Sequence, residues 1–246
     1  MKAALWVRAA FGVAVIGFSA LDLRWHDAAT WQSLYAFESS AIGSGAANAL
    51  MGLAILGGVG LVIPRVARHA AMLLVIVFGV FAIACLPAIL AAPTHFDPYD
   101  GLFEQVAALS GAVALRFGYG APSRIGFGAC AAVFALAQVI YLASTAALVP
   151  AWIPPNGTTW AIATTIAFAL AATAILADRR ARAALGFTAL MLGIFGALVW
   201  VPHIAMRPDA HLNWSEGALT LLILGGFVAG YGARRGTRRN GSSDPR

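Results

Sequence analysis

The chemistry open to this chain rests on a few polar residues set in apolar surroundings. Asp22 lies late in an apolar run that opens near residue 3. A helix rising 1.5 Å per residue carries it roughly 20 Å beyond Arg8. A charged side chain at the centre of a membrane helix costs roughly 2.5–3.5 kcal/mol, so an acid inside such a run calls for a reason. His26, four residues on, shares the face of Asp22 if the helix continues that far. Gln138 stands at the matching depth of a later run and reads as an interhelical hydrogen-bonding point or a second buried polar site. Glu104 and Glu216 stand near the starts of two further runs, where the helix dipole favours an anion. Asn213, three residues before Glu216, gives the spacing of a capping box, and Asp100 is a comparable cap before Glu104. The other use of the two glutamates is an acidic vestibule shared with Asp22 and Glu38.

Other chemistries find less support. Cys85 and Cys130 stand singly within apolar runs, with no CxxC pair for thiol exchange or zinc, and packing is their expected role. Bis-His haem ligation needs histidines facing one another at membrane depth, whereas His26, His95, His203 and His211 fall near run ends or in loops, as does His69. No HxH or HxxxH spacing marks a metal site. Walker, HExxH, nucleophile-elbow and dinucleotide motifs are missing as well. The residues therefore name no catalytic group, no metal ligand and no cofactor, and the chain is expected to be non-catalytic.

The elements that must carry these residues are apolar runs at about 3–22, 44–63, 70–91, 102–118, 125–148, 157–177, 184–203 and 213–232. Each is long enough to cross a hydrocarbon core about 30 Å thick as a helix. With 61% apolar and 11% charged residues, the chain has too little polar surface for a water-soluble globule. If the runs are eight spans, all basic residues except Arg24 and Arg207 fall on one side, and all acidic residues except Asp178 and Asp244 on the other. The positive-inside rule makes the basic side cytoplasmic, together with both termini, and the expected location is the inner (plasma) membrane. Attraction to anionic lipid accounts for the net charge of +6. No motif points to nucleic acid.

The runs also repeat. Arg8, Phe11 and Gly12 recur as Arg124, Phe127 and Gly128; Arg65, Arg68 and Phe81 recur as Arg179, Arg182 and Phe195. Glu104 and Gly118-Tyr119-Gly120 recur as Glu216 and Gly230-Tyr231-Gly232. The common order predicts an all-α integral membrane fold of eight transmembrane helices in two tandem parallel four-helix bundles, residues 1–120 and 121–234. Residues 235–246 have no apolar face and read as a disordered basic cytoplasmic tail. The repeat also gives the first run a structural counterpart, so it reads as a retained helix rather than a signal peptide.

Helix association in lipid depends on close packing of small residues. Gly226-x-x-x-Gly230 provides such a face, for packing within the bundle or for a homodimer. Pro87 and Pro202 are expected to kink or end their helices. Six tryptophans, Trp25, Trp31, Trp152, Trp160, Trp200 and Trp214, map to the outer interface as an aromatic belt, with one or two available to line a ligand.

The segment Val149-Pro150-Ala151-Trp152-Ile153-Pro154-Pro155 and the basic turn Asp178-Arg179-Arg180-Ala181-Arg182 resemble the DoxX-like family of four-helix membrane proteins. The likeness covers the second unit best. A glutamate common in the family's second helix is missing from the stretch Thr164 to Leu170, and a lysine late in its first helix has no counterpart at Asp22 or Gln138. The resemblance implies a non-catalytic integral subunit, or a component that binds a small molecule such as quinone, working with an oxidoreductase partner subunit in the bilayer. The rival expectations are a small-solute or cation transporter with an acidic outer vestibule, and a structural or assembly protein.

Overall fold

The computed structural model describes residues 4–38 and 43–240, with side chains for 4–36 and 44–234. The regular structure of these residues is entirely helical. α1 (Leu5–Arg24) is followed by the short α2 (Ala29–Glu38), and then come α3 (Gly43–Val62), α4 (Ala67–Ala84), the short α5 (Leu86–Ala91) and α6 (Asp97–Phe117). α7 (Ala121–Ile140) leads into the short α8 (Leu142–Ala147), followed by α9 (Gly157–Leu176) and α10 (Ala181–Phe195). A π-helical turn (Gly196–Trp200), α11 (Val201–Met206) and α12 (His211–Asn240) complete the chain.

Among the described residues, seven segments are long and apolar enough to cross a membrane: Leu5–Arg24, Ser44–Val62, Ala67–Ala91, Ala121–Ile140, Gly157–Leu176, Ala181–Met206 and His211–Arg234. The protein is an all-α, multi-pass membrane protein. Its surface agrees with a lipid solvent: Leu56, Leu90, Ile166, Leu170, Phe187 and Leu190 are all exposed. Phe11, Phe78, Phe81, Phe127 and Phe227 fill the interior.

Local sequence sets the breaks. Pro87 has no N–H for the carbonyl four residues back, and α4 ends just before it at Ala84. Pro202 likewise begins α11, and the turn before it widens to π geometry. The expectation for both prolines holds. Asn156 caps α9 by accepting from the Thr159 backbone N–H at 2.9 Å.

Packing follows the chain: α1 lies against α3, α3 against α4, α4 against α6 and α6 against α7, after which α7 meets α9, α9 meets α10 and α10 meets α12. α12 then packs on both α1 and α6. Two seams bring backbones into contact. A Cβ at Gly12 would lie 2.5 Å from the Gly58 carbonyl oxygen, and one at Gly111 would lie 2.7 Å from Gly226 Cα. These positions have room for nothing larger than glycine.

Several sequence expectations are corrected. The run 125–148 is divided at Tyr141 into α7 and α8. The segment 235–240 continues α12 as helix instead of beginning a disordered tail, while 241–246 lies outside the described residues. A Cβ at Gly226 would strike the Ala107 carbonyl oxygen, and one at Gly230 the Phe127 ring. The face expected to offer a homodimer contact is therefore occupied inside the chain by α6 and α7. α6 and α12 begin at Asp97 and His211, five and two residues before the runs read from hydropathy; in α6, Pro98 suits the first turn of a helix and the polar residues beside it are tolerated there.

Candidate functional site

Once those helix starts are placed, Glu104 and Glu216 lie inside helices rather than at their caps. Asn213 is itself within α12 and its side-chain amide donates to the His203 carbonyl at 3.1 Å, so it forms no capping box with Glu216. Asp100 stands in the first turn of α6, leaving Glu104 one turn further along. Glu104 lies within electrostatic reach of both Asp100 and Glu216, and Glu216 within reach of Asp100. α6 and α12 thus bring three carboxylates to one end of the bundle. Cys85, between α4 and α5, and Cys130 of α7 also lie within reach of Glu104. Cys130 donates to the Phe103 carbonyl at 3.0 Å and Cys85 to the Phe81 carbonyl at 3.4 Å.

A second polar group lies at the end of α1. Asp22 is 1% exposed, and neither of its oxygens has a hydrogen-bond partner. Ser19, one turn earlier on the same face, is buried with its hydroxyl unpartnered. The short helix α2 lies over this face: the Trp31 backbone N–H lies beside Asp22, while Thr30 accepts from Gln105 of α6 at 3.1 Å. The Trp31 indole N–H donates to Asn48 of α3 at 2.9 Å. Gln105 is 2% exposed and its carbonyl oxygen is unpartnered.

The remaining sequence candidates separate from these two groups. α1 stops at Arg24, so His26 is not carried on the helical face of Asp22; it is exposed and stacked on Trp31 with ring centroids 4.3 Å apart. Gln138 accepts from the hydroxyls of Thr164 at 3.0 Å and Thr165 at 3.1 Å, an interhelical contact between α7 and α9. Glu38 closes α2, but its side chain lies outside the described residues. Sequence reasoning passed over Gln105, Ser19 and Thr30. The signal for the first was present, since Gln105 follows Glu104 in a helix that is otherwise small and apolar beyond it.

At the opposite end one acid is paired with two arginines. Asp178 meets Arg234 at 2.6 Å and Arg124 at 3.8 Å, so one acid ties α7 and α12 to the turn before α10. Arg234 also lies 4.7 Å over the Tyr119 ring, and burial pushes the Tyr119 phenol up from its ordinary value. Among the described residues the ion pairs are these two and His211 with Asp27, so no basic side chain pairs with Asp22, Asp100, Glu104 or Glu216. No three His, Cys, Asp or Glu side chains among them are grouped to hold a metal ion. Comparison of the chain with protein-family models, with curated proteins and with solved structures finds no match.

Proposed function

We propose that the protein passes protons or monovalent cations through the carboxylate group on α6 and α12, as a small-cation transporter. The observation that carries this reading is the three-carboxylate group itself: Asp100, Glu104 and Glu216 within reach of one another and without a basic partner among the described residues. Like charges inside a helix bundle repel and need a positive counterpart, and intramembrane acids commonly mark ion pathways. With no multidentate metal grouping at hand, protons or singly charged ions suit that need better than a tightly held divalent metal.

In this reading α6 is the eighth span. Its charged residues are tolerable because α4, α7 and α12 surround it with protein. An eighth span leaves both termini on the arginine-rich side, which is then the cytoplasmic face of the plasma membrane. The order long helix, short helix, long helix, proline-broken helix, long helix occurs from α1 to α6 and again from α7 to α12. That order supports two parallel four-helix units. The DoxX-like resemblance belongs to this proposal as a description of the unit.

The test is flux into proteoliposomes holding a pH-sensitive dye, with sodium or potassium gradients imposed. Flux is expected in the wild type, with roughly tenfold or greater loss in Glu104→Gln and Glu216→Gln, the scale of one lost charge interaction in a low-dielectric site. Wild-type vesicles no leakier than empty ones would reject transport. Co-purification of an oxidoreductase or quinone in that case would return the redox-subunit reading to first place.

A further inference from the structure

At the arginine-rich end lies a feature that cation passage does not use. A groove of about 410 Å³ runs between the start of α1, α10 and α12, lined by Trp6, Ala183, Gly186, Phe187, Leu190 and Tyr231. The α10 residues recur every three or four positions, so the groove follows one stripe of that helix for about 10 Å. Gly186 opens its floor, since a Cβ there would press on the Tyr231 ring at 3.2 Å. Phe187 and Leu190 are exposed along its wall, facing the region that lipid tails fill.

Beside this groove, on the Tyr231 that lines it, sits Arg182. Arg182 lies 4.7 Å over the Tyr231 ring and donates to the Tyr231 hydroxyl at 3.0 Å. Its Nε is buried without a hydrogen-bond partner, and among the described residues no carboxylate pairs with it. Arg179 and Arg180, exposed in the turn just before α10, add to the positive field. The ring thus holds the guanidinium next to the apolar groove. A ligand that satisfies both must join an anionic head to an apolar tail.

We propose that this is a binding site for one anionic phospholipid of the leaflet on the arginine-rich side, its phosphate on Arg182 and one acyl chain along the α10 groove. Basic pockets between membrane helices recognise such headgroups by charge, while the groove excludes a free phosphate as the preferred ligand. The binding does not depend on whether the carboxylate end conducts ions.

Native mass spectrometry of the full chain, released from micelles containing dioleoyl phosphatidylglycerol or dioleoyl phosphatidylcholine, tests this directly. The wild type is expected to retain the anionic lipid about fivefold better, the weight of one arginine at an anionic surface. Arg182→Gln should remove the preference. Ala183→Trp, at an exposed position, should block the groove and lower retention of both lipids without disturbing the interior. The double variant Arg65→Gln with Arg68→Gln, on the turn after α3 and in the first turn of α4, should behave as wild type. Equal retention of the two lipids by the wild type would overturn the site, as would an undiminished preference in Arg182→Gln or full retention by Ala183→Trp. An equal loss in the Arg65/Arg68 variant would also do so, since it would reduce the effect to general attraction between arginines and headgroups.

Discussion

Near the C-terminal end of α1 the Asp22 carboxylate is buried without a hydrogen bond, whereas near the C-terminal end of α7 the Gln138 carbonyl accepts from two threonine hydroxyls. The two helices are otherwise alike: both are 20 residues long, both bury a phenylalanine followed by a glycine, and both pack on the next long helix of the chain. The difference comes from the neighbours. α9 offers Thr164 and Thr165 at the level of Gln138, while Asp22 is met by the first turn of a separate short helix, α2. A neutral amide with partners can serve as an interhelical tie. A buried acid met only by the Trp31 backbone N–H cannot to the same degree, because burying it is costly and replacing it by an amide leaves little to lose.

The firmest test of the likeness is also the largest in effect. Phe11 packs beside Phe78 and Phe127 beside Phe227, and each ring is fully buried. Phe11→Ala and Phe127→Ala should each cost about 3–5 kcal/mol, read as matched losses of thermal midpoint in detergent. A loss confined to one of them would show that α1 and α7 do not hold comparable places. The second test sharpens the contrast. Gln138→Leu should cost about 1 kcal/mol, since the threonines keep backbone acceptors on their own helix, whereas Asp22→Asn should leave the midpoint unchanged or raise it. Destabilisation by both would mean that Asp22 is held by a partner in solution.

The smallest effect belongs to the opposite end. Asp178 joins Arg124 and Arg234, while the sequence counterpart of Asp178 in the first half is Pro64, which can make no ion pair. Because the pairs are partly exposed, Asp178→Asn should cost less than about 1 kcal/mol. The difference from wild type should shrink as salt is raised. A salt-independent loss would assign Asp178 a backbone role instead, and its positive φ of 56° makes that a real alternative.

Much of this was legible from residue types. Of the eight apolar runs, seven coincide with helices long and apolar enough to cross a membrane, the run 102–118 being the exception, and Pro87 and Pro202 fixed two breaks because a missing N–H is a local fact. The start of α6 was not legible. Hydropathy ends where polar residues begin, but α6 continues through Asp97, Asp100 and Glu104 because other helices enclose it, and that enclosure is a tertiary fact. The same limit hid the partners of Gly226 and Gly230: a small-residue face announces close packing without naming what packs on it. His26 was misplaced for a simpler reason, since α1 ends two residues before it and no proline or glycine marks the end.

The seam between Gly111 and Gly226 has a mechanical consequence. Backbone meets backbone there, with no side chain between them to compress, so α6 and α12 can neither approach nor interleave further. Tilting about that point keeps the backbones in contact, so the seam can serve as a fulcrum. Glu104 lies about 10 Å along α6 from Gly111, and Glu216 about 15 Å along α12 from Gly226. A few degrees of rocking at the fulcrum therefore becomes a change in spacing between the two glutamates, at the far end of a pair of levers.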